Sequence, residues 1–158
     1  MKKIRKFISS FVLTLMLVGC GYKVVDKSQG NSYKITEITF SGEKKINHKI
    51  KNKLLFSSSK SSENEFIIEL NTKKTRSIKE KNINNEVTKY KLVIKAEIIY
   101  NLLGSTNKGS FDIQRSGDYK VSSQRIGTLN NEKKMSENLS DQIFKQISVQ
   151  LNSIASDS

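Results

Sequence analysis

Residues 89–102 read Lys-Tyr-Lys-Leu-Val-Ile-Lys-Ala-Glu-Ile-Ile-Tyr-Asn-Leu, and Tyr90, Leu92, Ile94, Ala96, Ile98, Tyr100 and Leu102 occupy seven consecutive alternate positions. Lys89, Lys91, Lys95, Glu97 and Asn101 take much of the opposite set. Side chains along a strand alternate between its faces, so this pattern predicts a long antiparallel strand with one face on a core and the other in water. Gly104-Ser-Thr-Asn-Lys-Gly109 follows as a turn, and the next strand sets Phe111, Ile113, Tyr119 and Val121 on one side, with Ser116-Gly117 expected as a bulge. The two strands make a hairpin.

Upstream, Phe66, Ile68 and Leu70 alternate over Glu65 to Leu70, a further strand running into the polar, basic stretch Asn71 to Asn85. Before it, Ile46, Ile50 and Leu54 recur every four residues among lysines, so 46–56 reads as a short amphipathic helix, closed by the serine-rich loop 57–62. Ile35, Ile38 and Phe40 form a short strand over Tyr33 to Phe40 with imperfect alternation. Downstream, Met135, Leu139, Ile143, Ile147, Leu151 and Ile154 define a long helix. Thr128 to Asn131 are expected to cap it and Glu132 to sit in its first turn. The expected fold is α+β, two helices packed on a four-stranded sheet in the order β-α-β-β-β-α, in a single domain over 33–158.

The first nineteen residues have another purpose. Lys2, Lys3, Arg5 and Lys6 precede an apolar run from Phe7 to Val18, the layout of a signal peptide and too short for a membrane span. The run ends in Leu17-Val18-Gly19-Cys20, which resembles the lipobox of bacterial lipoproteins. That resemblance implies cleavage before Cys20, an S-diacylglycerol on its thiol and an N-palmitoyl group on the new terminus. More than one chain is needed for stable anchoring, and this modification supplies it. Residues 20–32 would then be the lipidated Cys and a polar tether. Gly21, where lipoproteins kept at the inner membrane usually carry Asp, favours the outer membrane.

The chain has 158 residues with 28 Lys and Arg against 15 Asp and Glu, a formal charge of +13. Without residues 1–19 it keeps 24 basic and 15 acidic residues, a formal charge of +9. One Cys and one His exclude disulfide scaffolds and four-ligand zinc modules. His48 lies on the lysine-rich helix without an acidic partner one turn away, the carboxylate pairs Glu65/Glu69 and Asp112/Asp118 lie at solvent-facing strand positions, and no phosphate loop or dinucleotide fingerprint occurs. No catalytic residue, metal site or cofactor is therefore expected. Basic charge would suit nucleic acid, but an exported, lipid-anchored chain does not meet it.

With Cys20-Gly21-Tyr22 at its start, the strand Tyr90-Lys91-Leu92-Val93-Ile94, and Asn130-Asn131-Glu132 with Met135 in the last helix, the mature chain resembles the LPS-assembly lipoprotein LptE family. The resemblance implies a plug inside an LptD-like outer-membrane barrel that helps the barrel assemble and assists lipopolysaccharide insertion. It also implies basic residues for the glycolipid headgroup, and the candidates are Lys79, Lys81 and Arg125, joined by Lys73, Lys74 and Arg76 on what reads as one loop between strands. The family's basic residue just before the final helix has no direct counterpart, since Leu129 stands there. Other readings are an adaptor or pilot lipoprotein of another assembly machine, and a periplasmic carrier of an anionic lipid.

Overall fold

The computed structural model describes residues 31–157, so the expected signal peptide 1–19, the expected lipidation site Cys20 and the expected tether up to residue 30 lie outside the described residues. Strand β1 (Lys34–Gly42), helix α1 (Lys44–Ser57), strands β2 (Glu65–Lys81), β3 (Val87–Leu102) and β4 (Lys108–Lys120), and helix α2 (Arg125–Ser156) follow in the expected order. The sheet order is β1-β2-β3-β4. β1 runs parallel to β2, which requires a crossover, and α1 supplies it; the other two pairings are antiparallel hairpins.

Both helices cover the same sheet face. Phe66, Ile68 and Leu70 of β2 and Leu92, Ile94, Ala96 and Ile98 of β3 meet Ile46, Ile50 and Leu54 of α1 and Leu139, Ile143, Ile147 and Leu151 of α2, all buried. The periodicities of 2 and about 3.6 converge on this one core. Lys49 and Lys53 of α1 both reach Asp141 of α2, at 3.0 and 2.9 Å, and Tyr33 Oη contacts Ser57 Oγ and Ser148 Oγ at 3.0 Å each. These contacts put the C-terminal ends of α1 and α2 beside the start of β1. The last two residues of the expected tether also sit there: the Asn31 amide donates to Ser57 O and the Ser32 N–H to Asn152 Oδ1.

The imperfect alternation of β1 has a cause. Its register against β2 shifts between Ile35 and Glu37, so Ile35 and Ile38, three apart, are both buried. Between β1 and α1, Gly42 takes φ +85, and the buried Asn47 donates to Ser41 O while accepting from Thr72 Oγ1. The turn is thereby tied to β2.

Three expectations are corrected. The bulge at Ser116-Gly117 is absent, because β3 and β4 pair without a register shift from Lys89↔Lys120 to Asn101↔Lys108. Gly117 instead faces α2, where a Cβ would lie 2.5 Å from Met135 Sδ; the glycine serves close approach. Val121 lies one residue past the end of β4, its N–H bonded to Thr88 O. Finally, α2 begins at Arg125, with Gln124 at its N-cap, so Thr128 to Asn131 lie inside the helix and Glu132 is two turns in.

Candidate functional site

The basic stretch after Leu70 is strand. β2 continues to Lys81, paired with β3 from Lys73↔Lys95 to Lys81↔Val87, and the hairpin turns at Asn82 to Glu86, where Asn85 has φ 61. Backbone hydrogen bonding to the equally long β3 carries this segment past the helices, so no side chain of β2 beyond Thr72 is buried. A segment that is paired along most of its length, with register shifts only between Ile78 and Lys81, but buries no side chain keeps a polar sequence, and it reads as a loop. The five candidates expected on one loop, Lys73, Lys74, Arg76, Lys79 and Lys81, consequently lie along a strand instead. Alternation puts Lys74 and Arg76 on the helix side of the sheet and Lys73 on the bare side, opposite Lys95.

On the helix side, Lys74 and Arg76 converge on Glu132 at 3.1 and 3.3 Å, and Tyr119 Oη donates to the same carboxylate at 3.0 Å. The Arg76 guanidinium lies 4.7 Å over the Tyr90 ring, which packs against Tyr119 at 5.7 Å between centroids. Burial alone would raise the Glu132 carboxyl. The hydrogen bonds from Lys74 and Tyr119 and the charges of Lys74 and Arg76 outweigh it and hold the group below the ordinary carboxylate value. Burial and the hydrogen bond to Glu132 push the Tyr119 phenol up, against the opposing effect of Arg76. Both cations of this cluster share the one carboxylate and are held by the fold.

The remaining candidates are freer. Lys79 lies 3.9 Å from Asp118, at the limit of an ion pair, and Lys81 Nζ donates to Asn85 Oδ1 at 2.8 Å. Arg125, the first residue of α2, is exposed, and neither it nor Lys73 nor Lys81 forms an ion pair among the described residues. Lys81 closes β2, Val87 opens β3, and Val121 N–H bonds to Thr88 O just before α2 begins, so Lys79, Lys81 and Arg125 share the end of the domain farthest from Asn31. Ile78, Ile83, Ile126 and Leu129 are exposed at that same end. Sequence reasoning missed these four, although Ile83 amid three asparagines and Ile126 ahead of the helical stripe were the available signal.

Between the start of α1 and the first turns of α2 lies a cleft of about 480 Å³ whose lining includes Lys45, Lys49, Lys74, Lys133, Ile46 and Leu129. Glu43, Glu132 and Glu137 also line it, so its charge is mixed. Among the described residues no group of three His, Cys, Asp or Glu could hold a metal ion, and no helix is long and apolar enough to cross a membrane. His48 is exposed and packs edge-on against Phe40 at 5.1 Å.

The fold has solved counterparts. The structure of rare lipoprotein B from Shewanella oneidensis superposes with a TM-score of 0.56 at 17% identity, covering 77% of this chain and 95% of that one. The solution structure of an uncharacterized lipoprotein B from Nitrosomonas europaea gives 0.54 at 14% identity, over 79% and 88% of the two chains. At such identities the likeness is one of fold. The sequence matches no protein-family model and no curated protein.

Proposed function

We propose that this chain is a lipid-anchored outer-membrane protein that plugs and helps assemble an LptD-type barrel and assists insertion of lipopolysaccharide into the outer leaflet. One coincidence carries the reading: the lipobox Leu17-Val18-Gly19-Cys20 precedes a domain with the fold of rare lipoprotein B, nearly all of which the match covers. The role involves no bond chemistry. It needs an anchor beside the barrel, a rigid body, and cations free to meet phosphate at the end that enters the lumen.

The arrangement of the cations suits that role. Lys74 and Arg76 are occupied by Glu132, whereas Lys79, Lys81 and Arg125 at the far end have weak or no acidic partners. Hydrogen bonds between charged groups contribute about 1.5–3 kcal/mol each. Ile78, Ile83 and Ile126 beside them could meet acyl chains. In this reading that end of the domain holds the glycolipid.

The decisive experiment is a mild-detergent pull-down of the acylated protein from its outer membrane. A large LptD-type barrel in stoichiometric amount is the expected result. A different stable partner would reassign the chain as an adaptor or pilot, and recovery with lipid alone would favour a carrier.

A further inference from the structure

α1 presents a second surface that the plug reading leaves without a task. Residues 44–60 hold six lysines, Lys44, Lys45, Lys49, Lys51, Lys53 and Lys60, and no acidic residue. Lys49 and Lys53 are paired with Asp141; the other four form no ion pair among the described residues. At the helical repeat of 100° per residue, Lys44, Lys45, His48, Asn52, Leu55 and Phe56 fall on the face turned away from the core, and all are exposed. Their order along the axis is polarised: the basic residues come first, and the apolar pair closes the helix, with Leu55 at 42% and Phe56 at 79% exposure.

That apolar tip lies where the anchored chain leaves the domain. The Asn31 amide donates to Ser57 O, the carbonyl next to Phe56, at 2.6 Å. Cys20 lies only eleven positions earlier, a reach of at most about 40 Å even if fully extended. An acylated Cys20 therefore keeps the end of α1 close to lipid, whereas Ile83 and Ile126 lie at the opposite end.

We propose that the outward face of α1 is a second membrane contact, with Phe56 and Leu55 entering the headgroup boundary of an anionic phospholipid bilayer and Lys44 and Lys45 of that face, with the exposed Lys60 just past the helix, meeting its phosphates. The inference rests on the lipoprotein reading. Basic residues near an anionic surface and an apolar face at the interface are the two terms that hold amphipathic helices on membranes. Here they fix the orientation of the domain, with α1 toward the bilayer, which the lipid chains alone would leave open.

The chain contains no Trp, so Phe56→Trp provides a single fluorescent probe at an exposed position that accepts the larger ring. The full acylated chain is reconstituted in phosphatidylethanolamine and phosphatidylglycerol vesicles containing lipids brominated on the acyl chains, with Ile83→Trp as the opposite-end control. The expected result is emission shifted to shorter wavelength and quenched for Phe56→Trp but not for Ile83→Trp, with weaker quenching in phosphatidylcholine vesicles. Unshifted, unquenched emission from a chain whose Cys20 peptide carries the acyl mass would overturn the membrane contact and leave the lipoprotein reading intact. A Cys20 peptide without that mass would overturn both. A shift that requires added barrel protein would reassign the surface to a protein partner, and equal quenching in phosphatidylcholine would remove the role of the lysines.

Discussion

Met135 Sδ occupies the space that a side chain at position 117 would need, 2.5 Å from the ideal Cβ site, so α2 approaches β4 over a glycine. Position 117 faces Leu92 across the ladder, where a β-branched residue would ordinarily favour a strand. Here the lack of room wins. Gly117→Val is expected to destabilise the domain by about 1–3 kcal/mol, and adding Met135→Ala should recover part of it. Urea denaturation of the four proteins of the double-mutant cycle gives the coupling; strict additivity would show that the close approach has no energetic consequence.

Gly42 is constrained twice, by φ +85 and by Thr72 O, which a Cβ would approach to 2.0 Å. The obstacle is backbone and cannot swing aside. Gly42→Ala should cost at least about 2 kcal/mol through left-handed strain and displacement of the turn from β2. A melting temperature matching the parent chain would contradict this.

Glu132 confers acid sensitivity of a defined sign. Its folded carboxyl titrates below the ordinary value of 4.5, so its contribution is complete above that pH and is lost as pH falls through the lower, folded value. Glu132→Gln should cost about 1–2 kcal/mol at neutral pH, allowing for the half-exposed Arg76, and should flatten the decline below pH 4.5. Stability curves between pH 3 and 7 test both, and an unchanged acid limb would place the sensitivity elsewhere.

The basic residues should separate into two classes. Lys81→Glu with Arg125→Glu should abolish binding of purified lipopolysaccharide without a large change in melting temperature, because neither residue forms an ion pair among the described residues. Lys74→Gln with Arg76→Gln should do the reverse, since both hold Glu132. Binding lost only in the second pair would move the ligand site to the helix side of the sheet.

How legible all this was depends on burial. β3 and the apolar stripes of both helices were readable because each residue's face decides whether it meets water. The second half of β2 was not, since its register with β3 is held by backbone bonds that any side chain permits. The start of α2 was missed for a related reason: the apolar stripe begins at Met135, where the sheet first comes close, while the turns from Arg125 onward hold without it. For the site, the residue types were visible and their partners were not. Lys74 and Lys81 look equivalent in sequence, and only the pairing geometry gives one of them Glu132.

The parallel pairing of β1 with β2 bears on how the domain resists force. Chain enters β1 beside the clamps at Asn31 and Ser32, and Lys34 to Gly42 then run alongside Glu65 to Thr72. A pull on the amino-terminal side, directed away from the domain, acts along the strand axis. It shears the whole row of backbone hydrogen bonds at once instead of peeling them one by one, and the buried Tyr33 must slide from between the two helices in the same motion. Tension applied to the chain ahead of β1 is thus shared across many bonds.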